Sequence, residues 1–177
     1  TSAPRQTVAK AASNGIGRNV NHAQEVTPIP ISAELPDKPG RFKITNPFAG
    51  TQIGALAGGA GNLGIRIATC DGASWTATAE RQNQGSPSLN LTASLFHYKD
   101  GYHLDLYAVF TKQEGGLMQI SRDMANAMVG TPEEWTEKTF LDIVRSIRMQ
   151  TGANIALLEG QPELSGTPWL DNYDAPR

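Results

Sequence analysis

The sequence predicts an α+β domain: an antiparallel sheet of four to six strands with a long helix from the C-terminal half packed on one face. Three observations predict it. Residues 89–111 (LNLTASLFHYKDGYHLDLYAVFT) alternate apolar and polar on either side of Asp100-Gly101. Residues 63–79 carry a second alternating stretch around Asp71-Gly72. Residues 132–150 carry apolar positions at helical spacing behind a helix-start signal. Three parts follow: a short helix and Pro-rich extended segment over 1–40, one α+β domain over 41–159, and an irregular tail over 160–177.

Taking the elements in order, residues 5–13 are Ala-rich and form a short helix, with Gly15 or Gly17 as its stop. Val8 is its only long apolar residue, so this helix is expected to bury little. Residues 19–39 read as a connector, because Pro28, Pro30, Pro36 and Pro39 deny it a regular ladder. Residues 41–45 (RFKIT) alternate as a short strand. Residues 50–64 hold Gly50, Gly54, Gly58, Gly59, Gly61 and Gly64. That is too Gly-rich for a stable helix. A strand fragment near Ile53–Leu56 followed by a loop is expected there.

In 63–79, a three-residue Cys70-Asp71-Gly72 loop pairs Ile67 with Trp75, Ile65 with Ala77 and Leu63 with Ala79. It puts Gly72 at the left-handed position of a bulged turn. The competing reading makes 74–82 a helix. In 89–111, Asp100-Gly101 suits a two-residue type I′ turn. The resulting register pairs His97 with Leu104, Leu95 with Leu106 and Ala93 with Ala108 on an apolar face. The other face carries Tyr98, Phe96 and Ser94 with His103, Asp105 and Tyr107. An isolated hairpin is marginal in water, so the apolar face must pack on something.

After Gly115-Gly116, the spacing of Ile120, Met124 and Met128 predicts a helix over 117–129. Thr131-Pro132-Glu133-Glu134 then opens the long helix, with Thr as N-cap, Pro at N1 and Glu134 closing a capping box. Phe140, Ile143, Val144 and Ile147 make its apolar stripe, and Arg145 and Arg148 suit its C-terminal half. The carboxylates Glu133, Glu134, Glu137 and Asp142 read as cap and solvated face. Residues 153–158 are a last strand or a helical turn. Trp169, Leu170 and Tyr173 are candidates for tethering the tail.

Composition narrows the function. Apolar residues make up 39% and charged residues 18% of the chain, with a net charge of −2. Charge is low against about 25% in an average domain. Near-neutrality argues against nucleic acid or an anionic membrane, both of which call for a basic patch. No apolar run approaches the roughly 20 residues of a membrane span. Cys70 is the single cysteine, which excludes an internal disulfide and a Cys-rich zinc site. The chain opens Thr1-Ser2-Ala3-Pro4 without Met, and with its polar, low-charge surface this suggests an exported, periplasmic or secreted protein whose signal peptide has been removed.

Candidate sites are few. Gly59-Ala60-Gly61-Asn62-Leu63-Gly64 matches G-x-G-x-x-G, but a dinucleotide site needs a helix next, and Ile65-Arg66-Ile67 is strand-like. A Gly-rich loop is expected instead, with Gly58, Gly59, Gly61 and Asn62 as a candidate binding lip. Cys70 needs an imidazole or basic group to serve as a nucleophile. His97 and His103 lie on opposite hairpin faces, so at most one can serve it. Phe96, Tyr98, His103, Asp105 and Tyr107 form the candidate partner-binding face, because aromatics with a polar handle favour interfaces. The competing reading is an ordinary second sheet face covered by other elements. No cofactor, metal or catalytic residue is expected.

Phe96-His97-Tyr98-Lys99-Asp100-Gly101-Tyr102, then Glu134-Trp135, then Ile143-Val144-Arg145-Ser146-Ile147-Arg148 resemble the C-terminal half of the PsbP/Mog1-like fold. That fold occurs in DcrB-like bacterial lipoproteins and related secretion-effector chaperones. The resemblance implies an antiparallel sheet flanked by helices and a non-enzymatic binding or chaperone-type role. The chain departs from it in the stretch 121–129 and in continuing well past the long helix. The expected function is protein–protein interaction within an exported bacterial system, as a secretion-system accessory, adaptor or immunity-type inhibitor. The alternative is a small-ligand or lipid-binding module with a pocket near Trp75, Trp135 and Met124.

Overall fold

The computed structural model describes residues 1–20, 22–29, 34–45, 67–81, 88–111, 132–161 and 163–172. Among these, two helices lie over one face of a four-stranded antiparallel sheet, and a two-stranded sheet accompanies it. The expected class is therefore the observed one. The helices are α1 (Arg5–Gly17) and α2 (Pro132–Thr151). The strands are β1 (Ala23–Val26), β2 (Lys43–Thr45), β3 (Ile67–Thr69), β4 (Trp75–Arg81), β5 (Ser88–Tyr98) and β6 (Gly101–Thr111). The larger sheet has the order β1-β4-β5-β6, and β2 pairs with β3. The stretch 117–129 and the Gly-rich stretch 46–66 lie outside the described residues, as does the N-cap Thr131.

The helix α1 corrects the expectation that it buries little. Val8, Ala11, Ala12, Gly15 and Ile16 are all buried. Their spacing is i, i+3, i+4, i+7, i+8, one face of a helix. The face is built from small side chains, so α1 approaches α2 until backbones touch. A Cβ on Gly15 would stand 2.5 Å from Ile143 Cα and 2.6 Å from the Asp142 carbonyl oxygen. Ser146 Oγ donates to the Ala11 carbonyl at 2.6 Å across this seam. Small size, read from sequence as a lack of burial, is what permits it.

The sheet face beneath is equally fine-grained. Trp75, Ala77 and Ala79 on β4 and Leu91, Ala93 and Leu95 on β5 meet Ile143 and Ile147 from α2 in one core, with Leu104 and Leu106 at its margin. Each fully buried aliphatic side chain of this kind contributes about 1.5–3 kcal/mol. The expected α2 stripe is kept in part: Ile143 and Ile147 are buried, while Phe140 and Val144 are half-buried.

The polar side of α2 is solvated only in part: Glu134 is exposed and Glu137 partly exposed, but Asp142 is not. Asp142 is 1% exposed and Arg145 5%. Asp142 Oδ2 accepts from Asn19 Nδ2 at 2.8 Å and from Lys138 Nζ at 2.7 Å. The guanidinium of Arg145 donates to the Pro168 carbonyl through Nε (3.0 Å) and Nη2 (2.7 Å), and Arg148 Nη2 donates to the Asp171 carbonyl. The tail over 168–171 is thus tethered by arginines acting on backbone carbonyls, while Leu170 stays 44% exposed. Residues 153–158 form neither a strand nor a helix.

Three strand expectations need correction. The connector 19–39 contains β1, which pairs Ala23 with Ala79 and Val26 with Thr76. This is allowed because prolines begin only at Pro28. The turn at 70–73 forms as expected around Gly72 (φ 79°), closed by Ala73 N–H donating to the Cys70 carbonyl. A glycine with positive φ at the third position is the mark of a type II turn. Its flanking strands separate, however: β3 joins β2, and β4 joins β1 and β5. Turn chemistry is local, whereas strand partners are chosen by the rest of the sheet.

The central hairpin keeps its faces and shifts its register. Tyr98 pairs with Gly101, His97 with Tyr102 and Leu95 with Leu104, so Lys99 and Asp100 occupy the turn. A type I′ turn over Asp100-Gly101 needs positive φ at both residues, and only Gly101 has it (137°). The register differs from the expected one by two positions. An even shift leaves every side chain on its original face, so the apolar side still meets the helices.

Candidate functional site

The outer face of the β5–β6 hairpin carries Phe96, Tyr98, His103, Asp105 and Tyr107, the side chains singled out from sequence. Strand alternation puts all five on one side, and antiparallel pairing sets Phe96 opposite His103 and Ser94 opposite Asp105. Their surroundings differ. Phe96 is 1% exposed and Asp105 6%, whereas Tyr98, His103 and Tyr107 are half-buried.

What buries Phe96 and Asp105 is a strap, residues 36–42, that runs along the hairpin from its turn. Lys99 N–H donates to the Pro36 carbonyl at 3.0 Å, and Lys99 Nζ pairs with Asp37. Gly40 then lies on the Phe96 ring, where a Cβ would stand 2.6 Å from Phe96 Cδ1. Next, Arg41 Nε donates to Asp105 Oδ1 at 3.2 Å and Phe42 N–H to Asp105 Oδ2 at 2.9 Å. Finally the Phe42 ring meets that of Tyr107, with centroids 5.6 Å apart and planes tilted by 44°. Prolines at 36 and 39 keep this chain out of regular structure, with a bend at Asp37-Lys38, and glycine at 40 lets it touch an aromatic ring.

Asp105 is the centre of the arrangement. Besides Arg41 and Phe42 it holds His103, whose Nε2 lies 2.8 Å from Oδ1. Arg41 also reaches Glu159 Oε2 at 3.3 Å. Burial opposes the charge of Arg41, but Asp105 and then Glu159 outweigh it and hold the guanidinium pKa above its ordinary value. The result is a patch with buried anchors and a half-exposed rim of Arg41, Phe42, Tyr98 and Tyr107. Sequence reasoning had missed Arg41 and Phe42, because they arrive from a segment about sixty positions away: Phe42 N–H and Asp105 are 63 residues apart. An extended Pro-Gly-Arg-aromatic run after prolines was the available signal.

Elsewhere, Ser94 Oγ donates to Cys70 Sγ at 2.6 Å, so the thiol meets a hydroxyl. The indole of Trp75 is buried and donates to Glu25 Oε2 at 3.0 Å, and Trp135 is also buried. Met124 and the lip residues Gly58, Gly59, Gly61 and Asn62 lie outside the described residues. Among the described residues no group of three or more His, Cys, Asp or Glu is placed to hold a metal ion, and no helix is long and apolar enough to cross a membrane.

On the opposite, core-side face, His97 stacks on Tyr102 with centroids 4.4 Å apart and planes at 8°. The Tyr102 hydroxyl donates to the Ala3 carbonyl at 2.7 Å. Burial, and then the charge of Arg5, lower the His97 pKa below its ordinary 6.5. Protonation therefore favours the unfolded chain. The contribution of His97 is complete above pH 6.5 and is lost as pH falls towards the lowered folded-state value. The urea midpoint of wild type is expected to drop more steeply between pH 7.5 and 5 than that of His97→Asn. Parallel curves for the two proteins would refute this.

The hairpin, strap and two covering helices define an α+β domain with one covered and one patterned sheet face. No protein-family model, no curated protein and no solved structure matches the chain.

Proposed function

We propose that the chain is a non-enzymatic protein-binding domain of an exported bacterial system, periplasmic or secreted, acting as a secretion-system accessory, adaptor or immunity-type inhibitor. Its contact surface is the outer hairpin face with the strap that crosses it. The observation that carries this reading is the rim of Arg41, Phe42, Tyr98 and Tyr107 around the fixed anchors Phe96 and Asp105. Arginine, tyrosine and phenylalanine are the residue types enriched in interface cores, and tyrosine and arginine recur at energetic hot spots. The β5–β6 pair holds Tyr98 and Tyr107 without a large ordering cost on binding, and the strap places Arg41 and Phe42 beside them. The near-neutral charge and the resemblance to binding and chaperone folds agree with it.

Changing Tyr98 and Tyr107 together to Ala is expected to weaken partner binding by about 2–4 kcal/mol, on the order of 30- to 1000-fold. Both side chains are partly buried on the face away from the helices, and Tyr107 packs on Phe42, so a modest drop in the urea midpoint is expected and capture is compared where both proteins are folded. Affinity capture with the intact chain, read by mass spectrometry, provides the partner. Undiminished capture by the double variant would remove this face from the proposal. Fractionation of the native cells tests the exported location, which fails if the protein stays with the cytosol.

A further inference from the structure

We infer that the strap is a resident pseudo-ligand, and that the groove it fills on the β5–β6 hairpin also receives an extended partner segment carrying glycine, arginine and an aromatic residue in succession. The inference rests on the proposed binding role and states what that surface recognises.

Each position of the groove sets a chemical requirement. Over Phe96 the incoming backbone must come so close that even a methyl group meets ring carbon at 2.6 Å, which selects glycine. Asp105 offers two buried carboxylate oxygens. One takes a guanidinium N–H and the other a backbone N–H from the following residue. A guanidinium supplies donors in a fixed fork that matches a carboxylate. Tyr107 then presents its ring for a tilted aromatic contact, as Phe42 makes now. Main-chain hydrogen bonding combined with pockets for selected side chains is how extended peptides are recognised generally.

The strap is also attached in a way that permits exchange. Asp37, Lys38 and Arg41 are exposed, and the β2–β3 ladder beyond them spans three residue pairs. The hold is made of separate point contacts: Lys99 on Pro36 and Asp37, Asp105 on Arg41 and Phe42, and two ring contacts, Gly40 on Phe96 and Phe42 on Tyr107. Segments with exposed backbone and few buried apolar contacts open locally, below the free energy of global unfolding. Because the strap is tethered, it competes with an outside segment at high effective concentration. The apparent affinity for a partner is therefore scaled down by the fraction of molecules whose strap is open. The device keeps Phe96 covered until a better-matched segment arrives.

The test uses the full chain and a labelled synthetic peptide of residues 36–45 as the probe, read by fluorescence anisotropy. The double strap variant Gly40→Ala with Arg41→Ala vacates the groove. It is expected to bind the peptide at least tenfold more tightly than wild type does. That gain should vanish when Asp105→Asn is added, and when the peptide carries Arg41→Ala. Hydrogen exchange supplies a second reading: amides over 36–45 of wild type should exchange at least tenfold faster than those of β5. Equal affinity of wild type and strap variant, indifference to the peptide's arginine, or strap amides exchanging only as slowly as β5 would overturn the inference. Should the double variant fail to fold, Arg41→Ala alone carries the same comparison, since Arg41 lies outside the core. None of these readings needs the natural partner. A negative peptide result together with an effect of Tyr98→Ala alone on capture removes the groove while leaving the binding role, since Tyr107 belongs to both surfaces. The converse removes the rim and leaves the groove.

Discussion

Adding one methyl group at Gly15 is expected to cost about 2 kcal/mol of stability, and Gly15→Val about 4 kcal/mol. The new Cβ would lie 2.5 Å from Ile143 Cα, 2.6 Å from the Asp142 oxygen and 2.8 Å from Ile143 N. All three are backbone atoms of α2, so no side chain can swing aside. The helices must separate by roughly 1 Å to restore ordinary contact distances of about 3.5 Å. Separation loosens the contacts of Val8, Ala11, Ala12 and Ile16 together and stretches the Ser146–Ala11 hydrogen bond. Overpacking of this kind costs typically 1–3 kcal/mol and more where backbone must move. Better helix propensity returns about 1 kcal/mol for alanine and less for valine. Gly17, on the same helix, is the control. A Cβ there meets nothing within 4 Å, so Gly17→Ala should leave the urea midpoint unchanged or slightly raised. Equal midpoints for Gly15→Ala and Gly17→Ala would mean that the two helices do not meet as described.

Asp142→Ala is expected to cost about 3–5 kcal/mol, because it leaves a buried partner charge uncompensated. The carboxylate is 1% exposed and stands among Asn19, Lys138, Arg18 and Arg145, with Arg145 Nη1 at 3.8 Å. Lys138 and Arg18 keep access to water when their partner is removed; Arg145, at 7% side-chain exposure, does not. Its remaining bonds run to the Pro168 carbonyl and, at 3.8 Å, to Asp171. The double variant Asp142→Leu with Arg145→Met removes the charge problem altogether, so it should be more stable than Asp142→Ala alone. Chemical denaturation of the three proteins checks this. An Asp142→Ala midpoint within experimental error of wild type would show that α1, α2 and the tail are not joined through this carboxylate.

Some of this was legible in the sequence and some was not, and the division follows the range of the interactions. Alternation along β5 and β6 is a property of neighbouring residues, so both hairpin faces could be read even though the turn was placed one residue late. Asp71-Gly72 announced a turn correctly. That its two arms enter different sheets depends on β1, β2 and β5. Asp142 looked solvated because an acidic residue on a helix ordinarily is; its burial depends on Asn19, which is 123 residues away. The strap falls in the same class: its Pro-Gly-Arg-aromatic run is local, but its seat on Phe96 and Asp105 is not. For α1 the failure was one of extent as well as weighting: the helix runs to Gly17, past the expected 5–13, and so includes Gly15 and Ile16. The helical spacing of Val8, Ala11, Ala12, Gly15 and Ile16 was present, but side-chain size was taken as the measure of burial, when close approach is what small residues provide.

The seam between α1 and α2 also dictates when the molecule can become itself. Ser146 and Ala11 meet at a sequence separation of 135. During synthesis α1 leaves the ribosome well before α2, and its 13 residues are too few to hold a helix unaided in water. The hairpin strands can pair as soon as they emerge, since their contacts are local, but the helix that covers their apolar face is made later still. Until then Leu91, Ala93 and Leu95 stand open to water and to one another on neighbouring chains. Closure of that long loop is entropically costly, so the seam is expected to form late and to leave the apolar face of the sheet open meanwhile. The moment of greatest vulnerability lies between completion of the sheet and arrival of α2, when a holding chaperone would find its substrate.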